Sequence, residues 1–236
     1  MAKKEFPDKD LLNKEIADLE TGFTPEPAGF SEKLAAFGGK AFGVIKFILG
    51  ICLLPFVYSA SFAFLNEFGV IKKPLADYFW TGVISQIMIY LFIWEPAVVY
   101  KKGHKLLEVV FNFFKPLVRV APYLLPIYTI VVFLLYEALS FAIASAWLLE
   151  YTLFLLGFSL SLHLVFSAKT IRGRKGDFLK GNYIFGFSFV YILNVGLLAL
   201  FLSLIFTKFS FVNFCNNSLQ SAKGIFEAVF RQLFAV

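Results

Sequence analysis

Residues 121–168 read APYLLPIYTIVVFLLYEALSFAIASAWLLEYTLFLLGFSLSLHLVFSA; the acidic side chains in this stretch are Glu137 and Glu150, and His163 is the nearest thing to a base. Wound as one helix at ~1.5 Å per residue, it would be ~72 Å long, more than twice the ~30 Å of hydrocarbon in a bilayer. The stretch must therefore fold back on itself. Ser140 to Ser145, with two serines and two alanines, is the best place for the turn. That gives one span of about Ala121 to Ala142 and another of about Ala146 to Ser167, joined tightly enough to be antiparallel neighbours.

Working outward, the same logic finds three more spans. Phe47 to Leu65 carries no charge and is extended at its start by Ala41 to Lys46. Leu75 to Ile93 lies between Lys72 and Lys73 on one side and Glu95 and Pro96 on the other, with Trp80 and Trp94 towards its two ends, where amphipathic rings settle. Tyr183 to Phe206 contains no charged residue. Composition agrees: 59% of residues are hydrophobic and 16% charged, where a globular domain carries about a quarter charged. The expected fold is all-α, a polytopic transmembrane helical bundle of about five spans with amphipathic interfacial helices. Residues 1–40 form a polar tail with short amphipathic helices, 41–206 the membrane domain, and 207–236 an amphipathic carboxy-terminal segment.

The tail places Leu11, Leu12, Ile16 and Leu19 at helical spacing, breaks at Pro25 and Pro27, and offers Ser31 as the cap of a second helix. It lacks the short apolar core of a cleavable signal, so the first span is expected to direct insertion. Basic residues fix the orientation. Lys101, Lys102, Lys105, Lys115 and Arg119 occupy one loop, and Lys169, Arg172, Arg174, Lys175 and Lys180 another, so both are expected on the cytoplasmic side. The amino terminus is then inside and the carboxyl terminus outside, in what reads as a bacterial inner membrane. The formal charge of +6 belongs to these flanking blocks and argues for headgroups, with no nucleic acid as partner.

Among residues able to carry chemistry, Glu137 and Glu150 stand out, each one to two helical turns from the hairpin. An ionised carboxylate at that depth costs a few kcal/mol, so each is expected to be protonated, paired or facing a wet cavity, as an ion site or a packing lock. Glu150, Gly157 and Ser161 share one helix face, and the Gly157/Ser161 pair lets a neighbouring helix approach closely. Tyr78, Gly82, Gln86 and Tyr90 recur every four residues in the second span; Tyr183, Tyr191 and Asn194 share a side in the last. Interhelical hydrogen bonding accounts for both stripes, and a substrate path past Gln86 and Asn194 is the sharper alternative. The broken helices and charged rings of carriers are not visible. His163 reads as an interfacial hydrogen-bonding residue. There is no HExxH, no phosphate loop, no Cys-x-x-Cys and no internal repeat, and Cys52 and Cys215 stand far apart, so no cofactor, metal or catalytic residue is expected.

Two segments too short or too polar to span expose apolar faces. One runs from Lys101 to Val120 with Leu106, Phe111 and Phe114; the other ends the chain with Phe226, Phe230 and Leu233 at helical spacing. Each suits the bilayer surface or a neighbouring membrane subunit. The functional expectation is a non-enzymatic integral membrane subunit of a larger complex, with a structural, anchoring or transport-assembly role. The alternatives are a small ion-coupled carrier or channel using Glu137 and Glu150, and an intramembrane enzyme with a site the sequence does not reveal.

Overall fold

The structure, a computed structural model, describes residues 28–93, 97–110, 124–142, 145–172 and 181–234. Among these every regular element is a helix, with no strand. The helices are α1 (Ala28–Phe68), α2 (Lys73–Met88, continuing as a π-helical turn over Ile89–Ile93), α3 (Ala97–Val110), α4 (Ile127–Ser140), α5 (Ala146–Arg172), α6 (Gly181–Ile205) and α7 (Phe211–Phe234). Met1–Phe42 and Gly43–Val236 form two separate compact units, and the packing below concerns the second.

Four stretches are long and apolar enough to cross a membrane: Ala41–Phe68, Lys73–Phe92, Ala146–Arg172 and Tyr183–Ile205. The chain is thus a helical membrane protein with several spans. The span expected from Ala121 to Ala142 is shorter than anticipated: α4 has 14 residues, ~21 Å of helix. Pro126 explains the loss. It has no N–H to give a preceding turn, its ring disfavours helix at Leu125, and it stands as the N-cap of α4 with ψ near 79°. A helix break therefore exists where the sequence reading saw none. Ser31 is likewise no cap, since α1 begins at Ala28, directly after Pro27.

Connections are short at one end of the bundle. Gly69 N–H donates to the Leu65 carbonyl at 3.0 Å and Ile71 N–H to Phe68 at 3.1 Å, turning the chain into α2, whose start Pro74 presets. The end of α4, the start of α5 and the turn at 206–210 lie at this same end, called the Lys72 end below. The densest apolar packing is in this half: Phe64, Phe79, Leu153, Leu156, Leu198 and Leu202 are buried together, and Phe133 of α4 stacks on Phe201 of α6 with ring centres 4.1 Å apart. By contrast α1 exposes Ile48, Ile51, Leu54, Phe62 and Leu65, a surface that suits lipid and not water.

Candidate functional site

The most extensive helix contact joins α2 and α5, which are not consecutive in the chain. Two glycines make it possible. A Cβ on Gly82 would strike the carbonyl oxygen of Phe154, and a Cβ on Gly157 would strike that of Phe79. The backbones thus cross at a point where neither helix carries a side chain, and both helices run in the same direction from the Lys72 end.

Either side of the crossing, the two polar stripes face each other. The Tyr78 hydroxyl interacts with the Glu150 carboxyl group, Ser161 Oγ donates to Gln86 Oε1 at 2.8 Å, and Tyr90 packs edge-on against Phe166. Of the residues singled out in sequence, the structure therefore brings together Glu150, Gly157, Ser161 and Gln86. Glu137 is half-buried on α4; Ser140 Oγ donates to its backbone carbonyl at 2.8 Å. Glu150 meets α2.

Gln86 is 0% exposed, and its Nε2 has no hydrogen-bond partner. An amide left half-satisfied in a low-dielectric interior is expensive, so it marks a place where a ligand or water group is useful. Gln86 lines no cavity itself, but its partner Ser161 borders one of about 310 Å³ walled by all four long helices: Ser61 and Phe64 from α1, Trp80 and Val83 from α2, Ser161 and Leu164 from α5, Tyr191 and Leu198 from α6. On its wall Ser61 Oγ and Tyr191 Oη hydrogen-bond at 2.7 Å. The cavity is mainly apolar, with hydroxyls at its edges.

Asn194, also 0% exposed, likewise has a buried atom, Oδ1, with no partner among the described residues, but both hydrogens of its amide are used. Its Nδ2 donates to the Leu124 carbonyl at 3.0 Å and to the Val190 carbonyl at 2.7 Å. Leu124 precedes the break at Pro126, so a side chain from α6 satisfies backbone that the broken helix leaves open. Thr129 Oγ1 and Ser159 Oγ, 3.0 Å apart, fasten α4 to α5 one turn further on.

A polar cluster absent from the sequence reading sits at the other end of the bundle. His163 is buried, its Nε2 3.3 Å from Ser167 Oγ, which is 3.5 Å from the Tyr100 hydroxyl; the Tyr100 ring stacks on Phe166. A void of about 10 Å³ lined by Tyr100, Tyr128 and His163 has room for about one water. The four-residue spacing of His163 and Ser167 was the available signal. Tyr100 comes from α3, a different element, which spacing along one helix cannot reveal.

Of the expected partner surfaces, Leu106 on α3 is about half exposed, and Phe111 and Phe114 lie outside the described residues. The final helix is better defined. Ser210 N–H donates to Glu67 Oε2 at 3.3 Å, Phe209 packs on Phe64, and Phe226 meets Phe56 with ring centres 5.8 Å apart. From Ser210 to Phe226 a helix advances ~24 Å, and from Glu67 back to Phe56 ~17 Å, so α7 folds back alongside α1 in the opposite sense. Phe214, Cys215, Ser218, Ala222 and Phe226 form the buried or half-buried seam. Phe230 and Leu233 extend the apolar side but remain 61% and 73% exposed. On the opposite face Asn213, Asn216, Asn217, Gln220, Lys223, Glu227 and Arg231 are all exposed. Phe56 is the midpoint of the charge-free run 47–65, so this polar face reaches the depth of the span's centre. At such a depth an unscreened Lys, Arg or Asp costs about 2.5–3.5 kcal/mol on insertion scales.

Comparison of the chain with protein-family models, with curated proteins and with solved structures gave no match. Among the described residues no group of His, Cys, Asp and Glu has the makings of a metal site.

Proposed function

We propose that the chain is a non-enzymatic integral membrane subunit of a larger assembly, embedded in a bacterial inner membrane. It crosses five times, with α4 completing its crossing through the broken segment before Pro126, and has its amino terminus in the cytoplasm. The carrying observation is α7: its apolar seam rests on α1, while a seven-residue polar face points away from the bundle at the depth of the span. Lipid is a poor cover for that face, and a polar partner surface is a good one. The wide apolar surface of α1 leaves room for such a neighbour. The test is extraction from native membranes in a mild detergent, with and without residues 219–236. A stoichiometric complex that dissociates on truncation, while the remaining bundle keeps its helicity and unfolds cooperatively, is the expected result. A full-length chain that runs as a stable, active-sized monomer under every mild condition overturns it.

A carrier is the second reading, and what favours it is the 310 Å³ cavity bordered by Ser161, the hydrogen-bond partner of the half-satisfied Gln86 amide. Its test is solute or ion flux in liposomes containing the chain alone, with Gln86→Leu as the variant expected to abolish flux.

A further inference from the structure

We infer that the cavity between the four long helices is a binding site for a small apolar molecule carrying a hydroxyl group, an alcohol that enters sideways from the membrane. The space exists because α2 and α5 close on each other at Gly82 and Gly157, while among the described residues α1 makes no comparably close approach to either. Leu65 of α1 and Trp80 of α2 line it and are exposed, so it opens towards lipid between those two helices. An apolar cavity of about 150 Å³ holds one benzene. At about 310 Å³, this one takes a molecule of about a dozen non-hydrogen atoms.

The hydroxyls on the wall decide which polar group that molecule can carry. Ser61 Oγ lies 2.7 Å from the Val57 carbonyl oxygen, which can only accept, so the single Ser61 proton is spent there. The Tyr191 hydroxyl, 2.7 Å from Ser61 Oγ, must then be the donor of that pair. Ser161 Oγ gives its proton to Gln86 Oε1. All three hydroxyl protons thus point at protein, and what Tyr191 and Ser161 offer the cavity is lone pairs. A ligand hydroxyl can donate to them; a ketone, an ester or the plain acyl chain of a lipid cannot. The Trp80 indole N–H is the one side-chain donor left on the lining, and it belongs to the exposed rim. Ser61 lies within the charge-free run 47–65, where water is scarce, so a fixed acceptor adds to what burial of the ligand's chain supplies. Binding needs no transport. It is as open to an assembly subunit as to a carrier, and its failure leaves both readings standing.

The experiment uses the full chain in lipid nanodiscs, with Trp94→Phe and Trp147→Phe leaving Trp80 as the sole indole. Three probes brominated at the chain end are titrated in: a decanol, the matching methyl ketone and plain bromodecane. Contact quenching of Trp80 is read against each probe's concentration in the lipid. Expected is saturable quenching in which the alcohol binds about fivefold more tightly than the ketone or the hydrocarbon, the worth of one net hydrogen bond. Ser61→Ala removes the acceptor of the Tyr191 proton and frees it to point into the cavity. In that variant the ketone is expected to gain about fivefold and match the alcohol, while bromodecane, bound as before, shows that the bundle still folds. If alcohol, ketone and hydrocarbon bind alike in the parent chain, any apolar chain fills the cavity and the alcohol site is overturned. A ketone that stays weak in Ser61→Ala overturns it too, since the hydroxyl protons then do not set the preference. So does quenching that persists in Val83→Phe, which fills the space, because the probes then sit elsewhere.

Discussion

Glycine at 82 and 157 is a steric requirement of this fold. Each position opposes a backbone carbonyl, which cannot rotate aside as a side chain can, so an added methyl must push the helices apart. Gly82→Ala and Gly157→Ala are each expected to destabilise the bundle by about 2–3 kcal/mol, lowering the melting temperature in detergent by roughly 5–10 °C. Gly196 is the control, with nothing within 4 Å of its would-be Cβ. There Ala is expected to be neutral or to stabilise by about 0.5–1 kcal/mol, since it relieves the backbone entropy of glycine in a helix. Equal melting of all three variants would mean that α2 and α5 do not touch at this crossing. The small residues themselves were visible in sequence, Gly157 as a packing site and Gly82 within a stripe of four. Their opposition was not, because spacing fixes which residues share a face and says nothing of which face they meet.

At the scale of elements, the spans were legible because hydrocarbon thickness demands long apolar runs, and Tyr183–Ile205 and Ala146–Arg172 fall close to where the charge-free stretches put them. What misled was α4. Its hydropathy is continuous, and the break at Pro126 is tolerable only because Asn194, 70 residues away, supplies a donor to the Leu124 carbonyl. A backbone acceptor has no sequence signature, so Asn194 read as a stripe residue when its observed contact is with backbone. Asn194→Leu is accordingly expected to leave that carbonyl unsatisfied, costing about 1–3 kcal/mol and bringing faster amide exchange around 124–130. Unchanged exchange there would show that water or another group already serves the break. The His163, Ser167 and Tyr100 cluster escaped for a related reason: it assembles from α5 and α3, and a lone His carries little information until its neighbours are known.

For the whole molecule, the arrangement of α7 makes a titration prediction. Burial pushes the Cys215 thiol up from its ordinary range, and Cys215 lies on the seam that α7 turns towards the bundle. A raised pKa means less thiolate at neutral pH, so its alkylation by a membrane-impermeant maleimide is expected to be slow at pH 7 and to keep climbing with pH after a free thiol has levelled off. Cys52, exposed on the lipid-facing surface of α1, stays unlabelled. Applied to intact cells, the reagent also reads orientation, because labelling of Cys215 only after the membrane is opened would place the Lys72 end of the bundle inside. A Cys215 profile matching that of free cysteine would mean α7 has left α1.

The crossing of α2 with α5 also sets an order of events during synthesis. Gln86 and Ser161 are 75 residues apart, and everything between them, α4 included, must emerge before the pair can form. At about 5–20 residues per second, α2 enters the membrane and waits ~4–15 s with Gln86 and its glycine notch facing lipid or the insertion machinery. The protein is thus born with its tightest contact missing, and for those seconds the nascent chain carries an open polar groove that any passing helix with a small-residue face can occupy. A chaperone or insertase that shields such grooves would find its substrate here in α2, and only before α5 arrives.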